Sequence, residues 1–209
     1  MRLDAVLVVV LTLGLTVDAA FADNSLSGSP DGQVCKKSSL KRADGKQNLQ
    51  SDQGTCSTTQ LGEIPSRDHM TSTLILEPQS GATIPARTAF QVIVKMMNLD
   101  TGFFSDPETQ YYTSSQQLNK DGLIKGHAHI VVQKLRGRDL VPSATDFDFF
   151  KGLNTAADGD ERLFASVDEG LSPGKYRLCS TAASFSHNSL VLPVAQRGPQ
   201  DDCIRFTVK

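Results

Sequence analysis

Ten consecutive residues, Ile124-Lys125-Gly126-His127-Ala128-His129-Ile130-Val131-Val132-Gln133, limit what this chain can fold into more than any other stretch. Ile124, Ala128, Ile130 and Val132 fall on one side of a two-residue repeat, and Lys125, His127, His129, Val131 and Gln133 fall on the other. Successive side chains of a β-strand point to opposite faces, so the repeat predicts a strand with its aliphatics toward a core and both histidines on the opposite face. The two imidazoles then rise from Cβ atoms roughly 6–7 Å apart, close enough to share a ligand.

Shorter β-type runs separated by turn residues fill the rest of the chain from Ser72 onward. Strands are predicted near Thr73–Leu76, Phe90–Leu99, Ile124–Leu135, Leu163–Val167, Lys175–Thr181, Leu190–Ala195 and Cys203–Val208, with Pro78 to Pro85 turning between the first two. One helical turn is expected, around Leu153–Ala157. Leu171-Ser172-Pro173-Gly174-Lys175-Tyr176 has the form of a tyrosine corner, in which a strand tyrosine bonds back to the backbone of the preceding connection. Residues 71–209 therefore read as an all-β, immunoglobulin-like antiparallel β-sandwich of about seven strands. The chain has no tryptophan, which excludes the antibody type with its buried indole.

Residues 1–22 read as a secretory signal peptide: Arg2, an apolar core from Ala5 to Val17, and a small-residue end at Ala20-Phe21-Ala22. That core is shorter than the ~20 apolar residues of a membrane span. Residues 23–70 are rich in Ser, Gly, Asp, Lys, Gln and Thr, a composition expected to stay disordered. Lys41-Arg42 within it resembles a dibasic processing site, with a plain solvated linker as the alternative. Four cysteines in a secreted chain suggest two disulfides. Cys35–Cys56 and Cys179–Cys203 are the favoured pairs, the second because strand parity turns Cys179 and Cys203 outward on neighbouring strands. The expected product is extracellular and monomeric. A net charge of −2 with both signs interspersed argues against nucleic acid and membrane partners.

The histidine pair is the strongest site candidate. Histidines at i and i+2 on a strand supply two nitrogen ligands suited to copper or zinc. His187 is the candidate third ligand for His127 and His129, with His69, Asp106, Asp201 and Asp202 as further options that only folding brings near. Imidazoles bonded to backbone, or a pH-sensitive contact, are the alternatives. No Gly-x-Ser-x-Gly or phosphate-cradling loop occurs, and paired cysteines leave no thiol nucleophile, so no catalytic residue is assigned. Phe103, Phe104, Tyr111 and Tyr112 lie in a long segment of polar and turn residues, where they form either a contact surface or a lid packed on the sandwich.

From Gly62 onward the chain resembles a family of small fungal secretory proteins of unknown function. The resemblance is carried by Gly81-Ala82-Thr83-Ile84-Pro85, Asn98-Leu99-Asp100-Thr101-Gly102-Phe103-Phe104, Tyr111-Tyr112 and Gly126-His127-Ala128-His129-Ile130, continuing through Phe149-Phe150-Lys151-Gly152-Leu153-Asn154. It implies a fungal source, secretion and a β-rich domain, and no activity. The expected function is that of a secreted non-enzymatic protein, an effector or a binding module for a cell wall or host ligand. A copper- or zinc-binding metalloprotein and a protease inhibitor on an immunoglobulin-like scaffold are the alternatives.

Overall fold

The strands, in chain order, are β1 (Lys41–Arg42), β2 (Thr55–Cys56), β3 (Ser72–Glu77), β4 (Thr83–Ile84), β5 (Phe90–Met97), β6 (Leu99–Thr101), β7 (Ile124–Lys134), β8 (Phe149–Leu153), β9 (Arg162–Val167), β10 (Gly174–Ser184) and β11 (Cys203–Val208). They come from a computed structural model that describes residues 35–36, 38–46, 55–137 and 139–209. The expected signal peptide lies outside the described residues.

The alternation around the histidines becomes β7, the middle of a six-stranded sheet. β10 runs antiparallel along one edge of β7, followed by β11 and β4. β6 and β8 share its other edge, β6 beside Ile124–Gly126 and β8 beside Ala128–Val132. A three-stranded sheet, β3-β5-β9, packs against this one, so the domain is all-β and sandwich-like. Ile124, Ala128, Ile130 and Val132 of β7 meet Val92, Val94 and Met96 of β5 and Leu163, Ala165 and Val167 of β9 in one core, completed by Tyr176, Leu178, Ile204, Phe206 and Val208. Each buried valine, leucine, isoleucine or methionine contributes roughly 1.5–3 kcal/mol by leaving water, which makes the parity of β7 energetically binding.

Tyr176 makes the expected corner, its hydroxyl donating to the Ser172 carbonyl at 2.8 Å. Both expected disulfides form, and Cys179 and Cys203 stand opposite each other in the β10–β11 register.

Three expectations need correction. The run Phe90–Leu99 is two strands, because Asn98 takes a left-handed φ of 59° and passes the chain from one sheet to the other. Its side-chain amide holds that corner by donating to the carbonyls of Asp68 and Met70. Leu190–Ala195 is not a strand: Leu190 is buried and Val191 is held by the side chain of Gln116, but Pro193 has no N–H to give a ladder. The helical turn expected at Leu153–Ala157 is absent, since Leu153 ends β8, and a 3-10 turn forms instead at Arg67–His69.

Parts of the low-complexity stretch are tied down. Lys41–Arg42 pairs in parallel with Thr55–Cys56, next to the Cys35–Cys56 bridge. Gln116, 1% exposed, donates its amide to the carbonyls of Glu63 and Val191 and so anchors residues 62–63 to the domain.

Candidate metal centre and its aromatic rim

His127 and His129 stand on the outer face of the large sheet, as their parity requires. His187 arrives from the turn after β10, in which Ser184 N–H bonds the Asn188 carbonyl and His187 N–H bonds the Ser184 carbonyl. This turn puts His187 at a φ of 69°, a left-handed conformation that is uncommon for residues other than glycine and is often found at functional positions. One ligand atom from each of the three histidines lies within 4.8 Å of the others.

Glycine at 126 makes this closeness possible. A Cβ there would sit 2.1 Å from the Ala183 carbonyl oxygen, so only a bare backbone lets β10 draw against the start of β7. Ser184 pairs with Gly126, and the turn that carries His187 follows at once.

The hydrogen bonds fix which ring nitrogens carry protons. His127 Nδ1 lies 3.1 Å from the Phe103 carbonyl, and His187 Nε2 lies 2.9 Å from the Ser105 carbonyl. A carbonyl oxygen only accepts, so both of these nitrogens are N–H groups. The two remaining nitrogens, His127 Nε2 and His187 Nδ1, face each other at 3.0 Å. In neutral rings each presents a lone pair to the other, an arrangement that needs a proton or a cation between them. Two nitrogens ligating one tetrahedral ion at ~2.0–2.1 Å stand ~3.3 Å apart, close to the separation found here. Backbone carbonyls holding the far N–H of each ring are the usual outer support of histidine ligands.

Burial keeps the two strand imidazoles neutral. Desolvation, reinforced by neighbouring imidazoles, pushes both His127 and His129 down to about 4. Neutral imidazole is the ligating form, so protons compete weakly for these nitrogens at ordinary pH.

Aromatic residues rim the cluster. Phe150 stacks on His129 at 5.2 Å between centroids, Tyr111 tilts against His187 at 5.6 Å, and Phe104 meets His127 edge-on at 6.1 Å. Together with Tyr112 and Pro107 they border a cleft of about 490 Å³ that reaches His129 and His187. The segment bearing them is pinned to the histidine turn, since Ser105 N–H bonds the Phe185 carbonyl and Tyr112 N–H bonds the Ser186 carbonyl. Tyr111 and Tyr112 stack on each other at 4.1 Å, and burial raises the Tyr111 hydroxyl well above its ordinary value. Phe104 and Phe150 remain 44% and 48% exposed, so the aromatics both cover the imidazoles and present rings to solvent.

The other ligand candidates are elsewhere. His69 packs over Gly122. Asp106 caps its own turn through Glu108 N–H and the Thr109 hydroxyl. Asp201 accepts from Ala182 N–H and Asp202 from Ile75 N–H. Phe150 was not among the expected contact residues. Its run Phe149-Phe150-Lys151 lacks alternation, and only pairing with β7 reveals that Phe150 shares the histidine face.

Residues 73–209 match the family described as the CLU5d N-terminal domain. Over 159 residues, 74% of the chain, the sequence is 42% identical to pathogenicity cluster 5 protein d of the fungus Colletotrichum graminicola, and the matched stretch is 33% of that protein's own length. The kinship with a fungal family expected from the motifs is therefore supported. The chain belongs to the CLU5d N-terminal domain family.

Proposed function

We propose that this chain is a secreted, non-catalytic fungal protein that holds one copper or zinc ion on His127, His129 and His187 and works in a pathogenicity-related setting. The observation that carries the metal reading is the 3.0 Å approach of His127 Nε2 to His187 Nδ1, with the opposite nitrogen of each ring committed to a carbonyl. An all-imidazole set suits zinc and copper better than magnesium or calcium, which take oxygen ligands. Secretion rests on the N-terminal sequence and is consistent with two disulfides. The pathogenicity setting rests on the name of the Colletotrichum graminicola relative. Because the chain spans a third of that relative, the role of the longer protein does not transfer as a whole.

The exposed rings of Phe104, Tyr112 and Phe150 make the rim of the same site a contact surface for a wall or host ligand. Protein purified without chelators and analysed for metals should contain about one copper or zinc per chain. A His127→Ala/His129→Ala variant should contain none. A wild-type protein that carries no metal, and takes up neither ion in a titration, overturns the reading.

A further inference from the structure

We infer that the opposite end of the outer sheet face is a second site, which binds a small organic anion. A cleft of about 850 Å³ opens there, the size of a small-molecule site, and Arg136, Lys175, Arg177 and Arg205 line it against one carboxylate, Asp139. Among the described residues none of these four cations makes an ion pair.

Two features of the sheet make this more than a charged surface. Arg177 on β10 and Arg205 on β11 are directly opposite in register, a like-charge pair that destabilises a sheet unless something neutralises it. Arg177 is also held in place. Gln133, opposite it on β7, donates its amide to the carbonyls of Ser143 at 2.8 Å and Asp146 at 2.7 Å, which turns its Oε1 onto Arg177 Nη2 at 2.5 Å. The guanidinium is thus fixed while its Nε–H is buried with no hydrogen-bond partner. An unsatisfied buried donor leaves the guanidinium charge poorly compensated, and an anion in the cleft beside it compensates that charge.

The lip of the cleft determines the rest of the ligand. Leu140 and Val141, 61% and 81% exposed, form an apolar edge beside the cationic row. The complementary molecule has one phosphate, sulfate or carboxylate head and an apolar body.

Calorimetric titration of the full-length secreted protein tests this with phenyl phosphate, phenylacetate and inorganic phosphate. Phenyl phosphate or phenylacetate should bind more tightly than inorganic phosphate, the better of the two identifying the head group. Binding should weaken by about tenfold or more in Arg177→Gln, since hydrogen bonds to charged groups contribute that much. Arg136→Gln lies outside the strands and should also weaken binding, which keeps the test open if the strand variant folds poorly. Without ligand, Arg205→Gln should raise the melting temperature by removing the like-charge pair. No binding of any probe at millimolar concentration, or equal binding by wild type and both variants, overturns the site. Inorganic phosphate binding as tightly as the aromatic probes overturns the apolar half of the claim.

Discussion

The outer face of the large sheet carries nitrogen-rich clusters at its two ends, and they are built in opposite ways. At one end His127, His129 and His187 are packed beneath an aromatic segment, and burial holds the two strand imidazoles neutral. At the other end Arg136, Lys175 and Arg205 stand exposed around a wide cleft, with only Arg177 partly covered. The residue types account for the difference. An imidazole sheds its proton when desolvated and is then inexpensive to bury, whereas a guanidinium keeps its charge and must stay near water or find an anion. β7 and β10 therefore carry both a neutral cluster and an open cationic one, with β11 beside the cationic end and Cys179–Cys203 joining it to β10 between the two.

The strongest way to break this contrast is at Gly126. Gly126→Ala places a Cβ against the Ala183 carbonyl and forces β10 away from β7 at the histidine end. The expected cost is about 3 kcal/mol or more, read as a lower midpoint in chemical denaturation, because backbone rather than a flexible side chain must move. Metal uptake should be lost in the same variant. Unchanged stability would show that the two strands are not held together by this contact.

Acid separates the two ends next. In metal-free protein, His127 and His129 protonate at about 4 when folded, against 6.5 for a free imidazole. The unfolded chain takes up its protons first, so stability is full above about pH 6.5 and is lost as pH falls toward 4. Each ring accounts for up to about 3 kcal/mol, and less in combination because the two are coupled. Arginine does not titrate in this range, so a His127→Asn/His129→Asn protein should lose most of the slope. A denaturation series across these pH values checks both statements, and a flat wild-type profile contradicts them.

The smallest effect sharpens the comparison from the core side. Tyr176→Phe removes the bond to the Ser172 carbonyl while keeping the stacking against Phe206. A loss of about 1 kcal/mol is expected, with metal and anion binding unchanged. An altered anion affinity would mean that the corner positions the neighbouring Lys175 and Arg177.

Alternation made the core face of β7 and the outward turn of Cys179 and Cys203 readable before any coordinates, because burial enforces a period of two. β8 was hidden for the converse reason: Phe149 and Phe150 are both aromatic although they face opposite ways. Two of the three clustered histidines were legible as a pair. The approach of the third depends on the left-handed backbone of His187 and on the Ser105 carbonyl that holds its ring, and backbone groups carry no residue-type signature. Leu190–Ala195 misled through its aliphatics, one of which, Leu190, does enter the core without any ladder.

The Cys35–Cys56 bridge bears on how this protein would look on a gel. Lys41–Arg42 is exposed and lies inside the covalent loop that the bridge closes. A protease that cuts after Arg42 would open the chain without releasing a fragment. The product would migrate as one species until a reducing agent is added, and only then would the segment carrying Cys35 part from the domain.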